Sequence, residues 1–133
     1  MIVLGGYLIA CESGRTQFPM ITDPSEQEVL VALSELRHGS GVLSLQIRPA
    51  PNVGAYEVAL YSEDGRFLVM LSQYMEDGGH EVFTIKGTGK GNGFIDVLGE
   101  MYPAEAVTED FDLVCRAFKS FLQLRKASPD IWV

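Results

Sequence analysis

The sequence predicts an α+β domain, an antiparallel sheet of about five to six strands with two helices packed on it. Three observations carry this. Apolar residues near the end of the chain recur at the helical period, the middle of the chain alternates with a period of two, and the strands of that middle follow one another without intervening helices. Strands in series argue against a doubly wound parallel sheet. The 133 residues form a single domain, 1–133, with no linker and no internal repeat.

The elements follow in order. Met1 to Ala10 reads as a strand whose Gly5-Gly6 pair signals a bulge or a close backbone approach. It lacks a basic leading segment and a small-residue cleavage pattern, which argues against a signal peptide. Cys11 to Thr22 is expected to be a connecting loop. Asp23-Pro24 followed by Glu26 has the form of a helix start, with Asp23 as cap, proline in the first turn and an acid closing a capping box. Val29, Leu30, Leu33 and Leu36 supply the buried face, His38 falls in the last turn, and Gly39 and Gly41 end the helix.

From Val42 the period becomes two. Leu43, Leu45 and Ile47 share one face, and Pro49 to Gly54 turns the chain. In the next strand Tyr56, Val58 and Leu60 fall on one face. Asp64-Gly65 marks a tight hairpin, and Phe67 to Tyr74 is the returning strand. Val82 to Ile85 and Phe94 to Leu98 make further strands. A last helix opens at Thr108 as cap, with Glu109, Asp110 and Asp112 at its positive end and Lys119, Arg125 and Lys126 toward its negative end. Phe111, Val114, Cys115, Phe118, Phe121 and Leu122 form its apolar stripe.

Composition narrows the function. With 18 acidic against 10 basic residues and a net charge of −8, the surface repels polyanions, so no direct contact with nucleic acid is expected and cationic partners are favoured. No apolar run reaches the roughly 18 residues a membrane helix needs, so no membrane partner is expected either. Cys11 and Cys115 differ in surroundings and read as free thiols, which fits a reducing compartment and a cytoplasmic location.

Candidate chemistry is sparse. Gly87 to Gly93 is rich in glycine, but Gly89-Lys90 is followed by Gly91 rather than Ser or Thr, and Asn92 stands where a dinucleotide motif needs its third glycine. A hairpin loop with a solvated Lys90 is the reading, and no cofactor is expected. His38 reads as a helix-end residue. His80 follows Glu76 and Asp77 in a glycine-rich loop without the rigid spacing of a metal site. No catalytic set is assembled by sequence, so the chain is expected not to be an enzyme. Of the acidic pairs, Glu63-Asp64 is explained by turn chemistry and Glu109-Asp110 by helix capping. Glu76-Asp77 beside Tyr74 is the pair least accounted for by local structure, and an acidic loop beside an aromatic suits the arginine or lysine of a partner protein.

The opening strand with Gly5-Gly6-Tyr7-Leu8-Ile9 and the closing Val107-Thr108-Glu109-Asp110-Phe111, with Val114, Phe118, Phe121 and then Ser128-Pro129-Asp130, resemble small immunity proteins. Those proteins belong to bacterial contact-dependent growth inhibition and related polymorphic toxin systems. The resemblance implies a non-enzymatic antidote that forms a one-to-one complex with the C-terminal domain of a cognate toxin, often a nuclease, in the cytoplasm. It transfers no binding residue, because binding faces in such proteins vary with the toxin. The residues themselves put forward Tyr74, Glu76 and Asp77 for the toxin-binding surface, with Glu63 and Asp64 as second choice. The alternatives are a structural or adaptor subunit of a secretion or phage-type assembly, and a small enzyme.

Overall fold

The computed structural model describes residues 1–10, 14–85 and 93–124. It is an α+β fold built on one antiparallel sheet with two helices on one face. The strands are β1 (Ile2–Ala10), β2 (Gly14–Gln17), β3 (Ile21–Thr22), β4 (Ser40–Ile47), β5 (Gly54–Glu63), β6 (Arg66–Tyr74), β7 (His80–Thr84), β8 (Phe94–Val97), β9 (Glu100–Pro103) and β10 (Val107–Thr108). The helices are α1 (Glu26–Glu35) and α2 (Phe111–Leu124). The main sheet runs β10-β6-β5-β4-β1-β2, with β3 alongside β1 and β7 alongside β6, while β8 and β9 form a separate hairpin.

The strand count exceeds the five to six expected because β2, β3, β9 and β10 span only two to four residues. Such pieces are too short to display a period. For the same reason the segment read as a loop from Cys11 to Thr22 contains two edge strands in its described part. Cys11 itself lies outside the described residues, as do Arg125, Lys126 and, of the glycine-rich stretch, everything from Gly87 to Asn92.

Register assigns every side chain of the central strands to a face. The inner face, under the helices, carries Ile2 and Leu4 of β1, Leu43 and Leu45 of β4, Val58 and Leu60 of β5, and Phe67, Val69 and Leu71 of β6, all buried. Helix α2 closes this layer with Val114, Ala117, Phe118 and Phe121, none more than 1% exposed, and α1 adds Val29, Leu33 and Leu36. The stripe read from the sequence is therefore the lid of the core.

The capping differs in detail from expectation. Ser25, not Asp23, caps α1: its hydroxyl accepts from the Glu28 amide at 3.1 Å while the Glu28 carboxylate accepts from the Ser25 amide at 2.9 Å. Asp23 sits at φ 50 and accepts the Ile2 amide at 2.9 Å, tying the helix entry to β1. At the far end α1 stops at Leu36 before either glycine, so His38 lies beyond the helix. Ser62, fully buried on the inner face of β5, donates to the Leu36 and Gly39 carbonyls at 2.8 and 3.1 Å and satisfies that terminus. Likewise Thr108 is a strand residue, paired with Phe67, and Asp110 caps α2 by accepting the Leu113 amide at 3.3 Å.

The close approach signalled by Gly5-Gly6 falls at Gly6: a Cβ there would lie 2.1 Å from the Val42 carbonyl oxygen. At the β5–β6 hairpin, Asp64 and Gly65 both have positive φ, 52 and 82, as a two-residue turn matching strand twist requires. Leu98 and Gly99, at φ 54 and 88, make the same kind of turn between β8 and β9.

Candidate functional site

The candidate site lies on the outer face of the sheet, and a β-bulge creates it. Ala55 pairs with Gln73 and Glu57 pairs with Ser72, leaving Tyr56 as an extra residue between them. The extra residue reverses the alternation, so Ala55 rather than Tyr56 joins Val58 and Leu60 in the core. Tyr56 therefore does not share their face, against the expectation from period alone. It turns outward and stacks on Tyr74 of β6, ring centroids 4.6 Å apart and planes at 21°.

His80 completes a cluster of three rings. It is the first residue of β7, directly opposite Tyr74, rather than part of the preceding loop. Its Nε2 is 2.6 Å from the Tyr56 hydroxyl, and its ring centroid is 5.7 Å from that of Tyr56 and 5.8 Å from that of Tyr74. The rigid strand pairing behind the rings holds them in place.

The β6–β7 turn stands beside this cluster. Met75 and Gly79 close it through the Met75 amide to the Gly79 carbonyl at 2.8 Å, and the Asp77 carboxylate accepts the Gly79 amide at 2.7 Å. Asp77 thus has a local structural role that sequence reasoning did not assign to it. Glu76 is exposed at the same turn. Together Val53, Gly54, Gln73, Tyr74, Met75, Glu76 and Asp77 line an open cleft of about 470 Å³. One aromatic wall and two carboxylates suit a cationic side chain with an apolar stem.

The five residues singled out by sequence divide into two groups. Tyr74, Glu76 and Asp77 gather here. Glu63 and Asp64 lie at the other end of the β5–β6 hairpin, nine strand residues away, which is roughly 30 Å of extended chain. The Glu63 carboxylate accepts the Leu98 amide at 3.0 Å and pairs with Arg66 at 3.2 Å, anchoring the β8–β9 hairpin to the sheet. Asp64 is exposed at the turn. Tyr56 and His80 are the functional candidates that sequence missed or placed elsewhere, and no local signal marks the bulge that unites them.

Other candidates stand apart. His38 borders a cleft of about 320 Å³ with Arg37, Gly65 and the start of α2, where the Arg37 guanidinium lies 5.2 Å from the Phe111 ring centroid. Cys115 is a free, half-buried thiol, pushed to a higher pKa by burial and by Asp112 against the opposing pull of Lys119 and Arg37. Among the described residues no group of three or more His, Cys, Asp or Glu side chains is disposed to hold a metal ion. No helix among them is long and apolar enough to cross a membrane.

Comparison with known proteins places the chain in a family without assigning it an activity. Residues 1–131 match the model of a family of unknown function, DUF6911. The chain belongs to this family. It is also similar to the crystal structure of a hypothetical protein from Neisseria gonorrhoeae, at 28% identity and a TM-score of 0.85, over 94% of this chain and 88% of that one. No protein of curated function matches the chain.

Proposed function

We propose that this DUF6911 member is a non-enzymatic binding domain that captures a basic protein partner. The immunity proteins it resembles point to a bacterial toxin domain, with a nuclease as its class, met in the cytoplasm in a one-to-one complex. The observation that carries the reading is the corner where Tyr56, Tyr74 and His80 stand beside Glu76 and Asp77. Stacked tyrosines offer large contact area at small entropic cost, and neighbouring carboxylates steer and select a cation. The net charge of −8 supports the same partner chemistry, because a nuclease must present a basic cleft to its substrate.

The test is binding of the purified protein to the toxin C-terminal domain encoded beside its gene, and protection of cells that express that domain. A stable one-to-one complex is expected, with an association rate that falls as salt rises. Because the Asp77 carboxylate closes its own turn, the informative variant combines Glu76→Lys with Asp77→Asn, which keeps an acceptor for the Gly79 amide. It should weaken binding at least about tenfold, about 1.4 kcal/mol, with an unchanged melting temperature. Unaltered affinity removes this corner from the interface, and a wild-type protein that neither binds nor protects overturns the reading.

A further inference from the structure

On the helical side of the sheet, away from the aromatic corner, α1 does not close fully against the edge strands. A half-open cavity of about 330 Å³ separates it from Leu4 of β1, Ile21 of β3 and Phe18 in the connection between β2 and β3. The sequence explains the gap. Ala32, on the α1 face that meets β1, is small, and the segment from Phe18 to Met20 belongs to no strand, so helix and extended chain face each other without side chains to fill the space. Leu4 and Ala32 form a buried floor, Phe18 and Ile21 are half-buried walls, and Val31 stands at the mouth, 53% exposed.

The polar groups around this apolar floor are acidic or neutral. Gln27, Glu28 and Glu35 supply them from α1, and among the described residues no lysine, arginine or histidine lines the cavity. One oxygen of Glu28 is engaged, since it accepts the Ser25 amide. Glu35 is not: among the described residues its carboxylate has neither a hydrogen bond nor an ion pair, and the nearest acid on this helix that does pair with a base is Glu26, with Lys119 at 3.6 Å. Glu35 also stands in the last turn of α1, where no basic residue accompanies it and the negative end of the helix dipole disfavours an anion. A carboxylate there destabilises the helix end, and nothing in the described fold compensates it.

We infer that this cavity is a binding site for a small apolar amine, an alkyl or arylalkyl ammonium whose hydrocarbon body lies on Leu4, Phe18, Ile21 and Ala32 and whose charged head is received by Glu35. The site is separate from the protein-binding corner and does not rest on that reading. Its volume and its apolar lining with a few polar groups at one side are those of a small-molecule pocket. Charge selects the head group, because the two carboxylates repel a fatty acid or a phosphate and attract an ammonium. A second copy of this chain is a poor occupant, since it would bring the same acids to the same place. A protein segment is disfavoured too, because its backbone amides would need partners that an apolar floor does not offer.

The experiment is a titration of the methyl-labelled protein with hexylamine, hexanol and hexanoate, which share one apolar body and differ in the charge of the head. Saturable shifts are expected at the methyl groups of Leu4, Ile21, Val31 and Ala32, with hexylamine binding at least about threefold more tightly than hexanol, as an exposed ion pair allows, and hexanoate most weakly. Glu35→Gln should bring hexylamine down to the affinity of hexanol and leave hexanol unchanged. Its melting temperature should stay level or rise slightly, because the charge opposed to the dipole is gone. Val31→Lys, at an exposed helix position one turn before Glu35, supplies an internal cation and should abolish hexylamine binding. Equal binding of the three probes, shifts that fall elsewhere or never saturate, or a Glu35→Gln protein that keeps its preference for the amine or melts earlier overturns the inference. Tighter binding of the peptide acetyl-GFKG-amide than of hexylamine, or the same methyl shifts appearing with protein concentration alone, would make the cavity a protein groove and overturns it as well.

Discussion

The two faces of the sheet solve different problems with different aromatics. Phe18, Phe67, Phe83, Phe111, Phe118 and Phe121 all lie in or against the core beneath the helices, and only Phe94, 67% exposed, does not. None of the five tyrosines, Tyr7, Tyr56, Tyr61, Tyr74 and Tyr102, belongs to that core. Four project from the outer face, and Tyr102 lies on the β8–β9 hairpin. A phenyl ring belongs where water is excluded, whereas a phenol needs a partner for its hydroxyl and suits a surface that is dry in one state and wet in another. The inner face is thus built to stay shut, while the outer face is closed over β6 at Leu68, which is fully buried, and keeps its tyrosines half-exposed.

The sharpest way to break this contrast is to remove one ring from each side. Phe118→Ala should cost about 3–5 kcal/mol, the penalty for truncating a fully buried aromatic. Tyr74→Ala, on the half-exposed face, should cost well under half of that while weakening partner binding. Chemical denaturation of the two variants decides it. Equal losses would make the outer rings core residues in all but name.

Backbone contacts on the helical side offer a second test. Gly6→Ala would drive a methyl into the Val42 carbonyl, and because backbone rather than a flexible side chain blocks it, a loss of about 2–4 kcal/mol is expected. Gly5→Ala, on the neighbouring residue with open space, should stay within about 1 kcal/mol. Ser62→Ala removes the donor to the Leu36 and Gly39 carbonyls in a fully buried position and should cost about 1–3 kcal/mol. If Ser62→Ala were neutral, α1 would not depend on the sheet for its C-terminal cap.

The helical side was far more legible in the sequence than the outer side. A period of 3.6 across Phe111 to Leu122 and the Asp64-Gly65 turn are local signals, and both survive in the fold. The candidate site is not local. Tyr56 falls in phase with Val58 and Leu60, and only the pairing of Ala55 and Glu57 with consecutive residues of β6 throws it to the other face. The second hairpin was hidden for another reason: Leu98 adopts φ 54, a conformation bulky residues rarely take, so Gly99 beside it does not by itself announce a two-residue turn. Glu63, which accepts the Leu98 amide, is 35 residues away in sequence. Caps shifted by two residues, Ser25 for Asp23 and Asp110 for Thr108, show the same limit, since several polar residues in a row can each serve and tertiary contacts choose among them.

The smallest expected effect is also the most specific to the outer face. The Tyr61 hydroxyl is held above its ordinary pKa of 10.0, by burial first and then by Glu57. A raised folded-state value means that the folded protein keeps this proton more tightly than the unfolded chain. The associated stability is present in full below pH 10 and is lost as pH rises through the folded-state value. Denaturation measured from pH 8 to pH 11 should therefore show stability falling at the alkaline end, by more in the wild-type protein than in Tyr61→Phe, which has no proton to lose. Glu57→Gln should narrow the difference without removing it, because desolvation remains when the carboxylate's charge is gone. Identical alkaline slopes for wild type and Tyr61→Phe would mean that Tyr61 titrates as it does in the unfolded chain, and that its burial on this face is not maintained in solution.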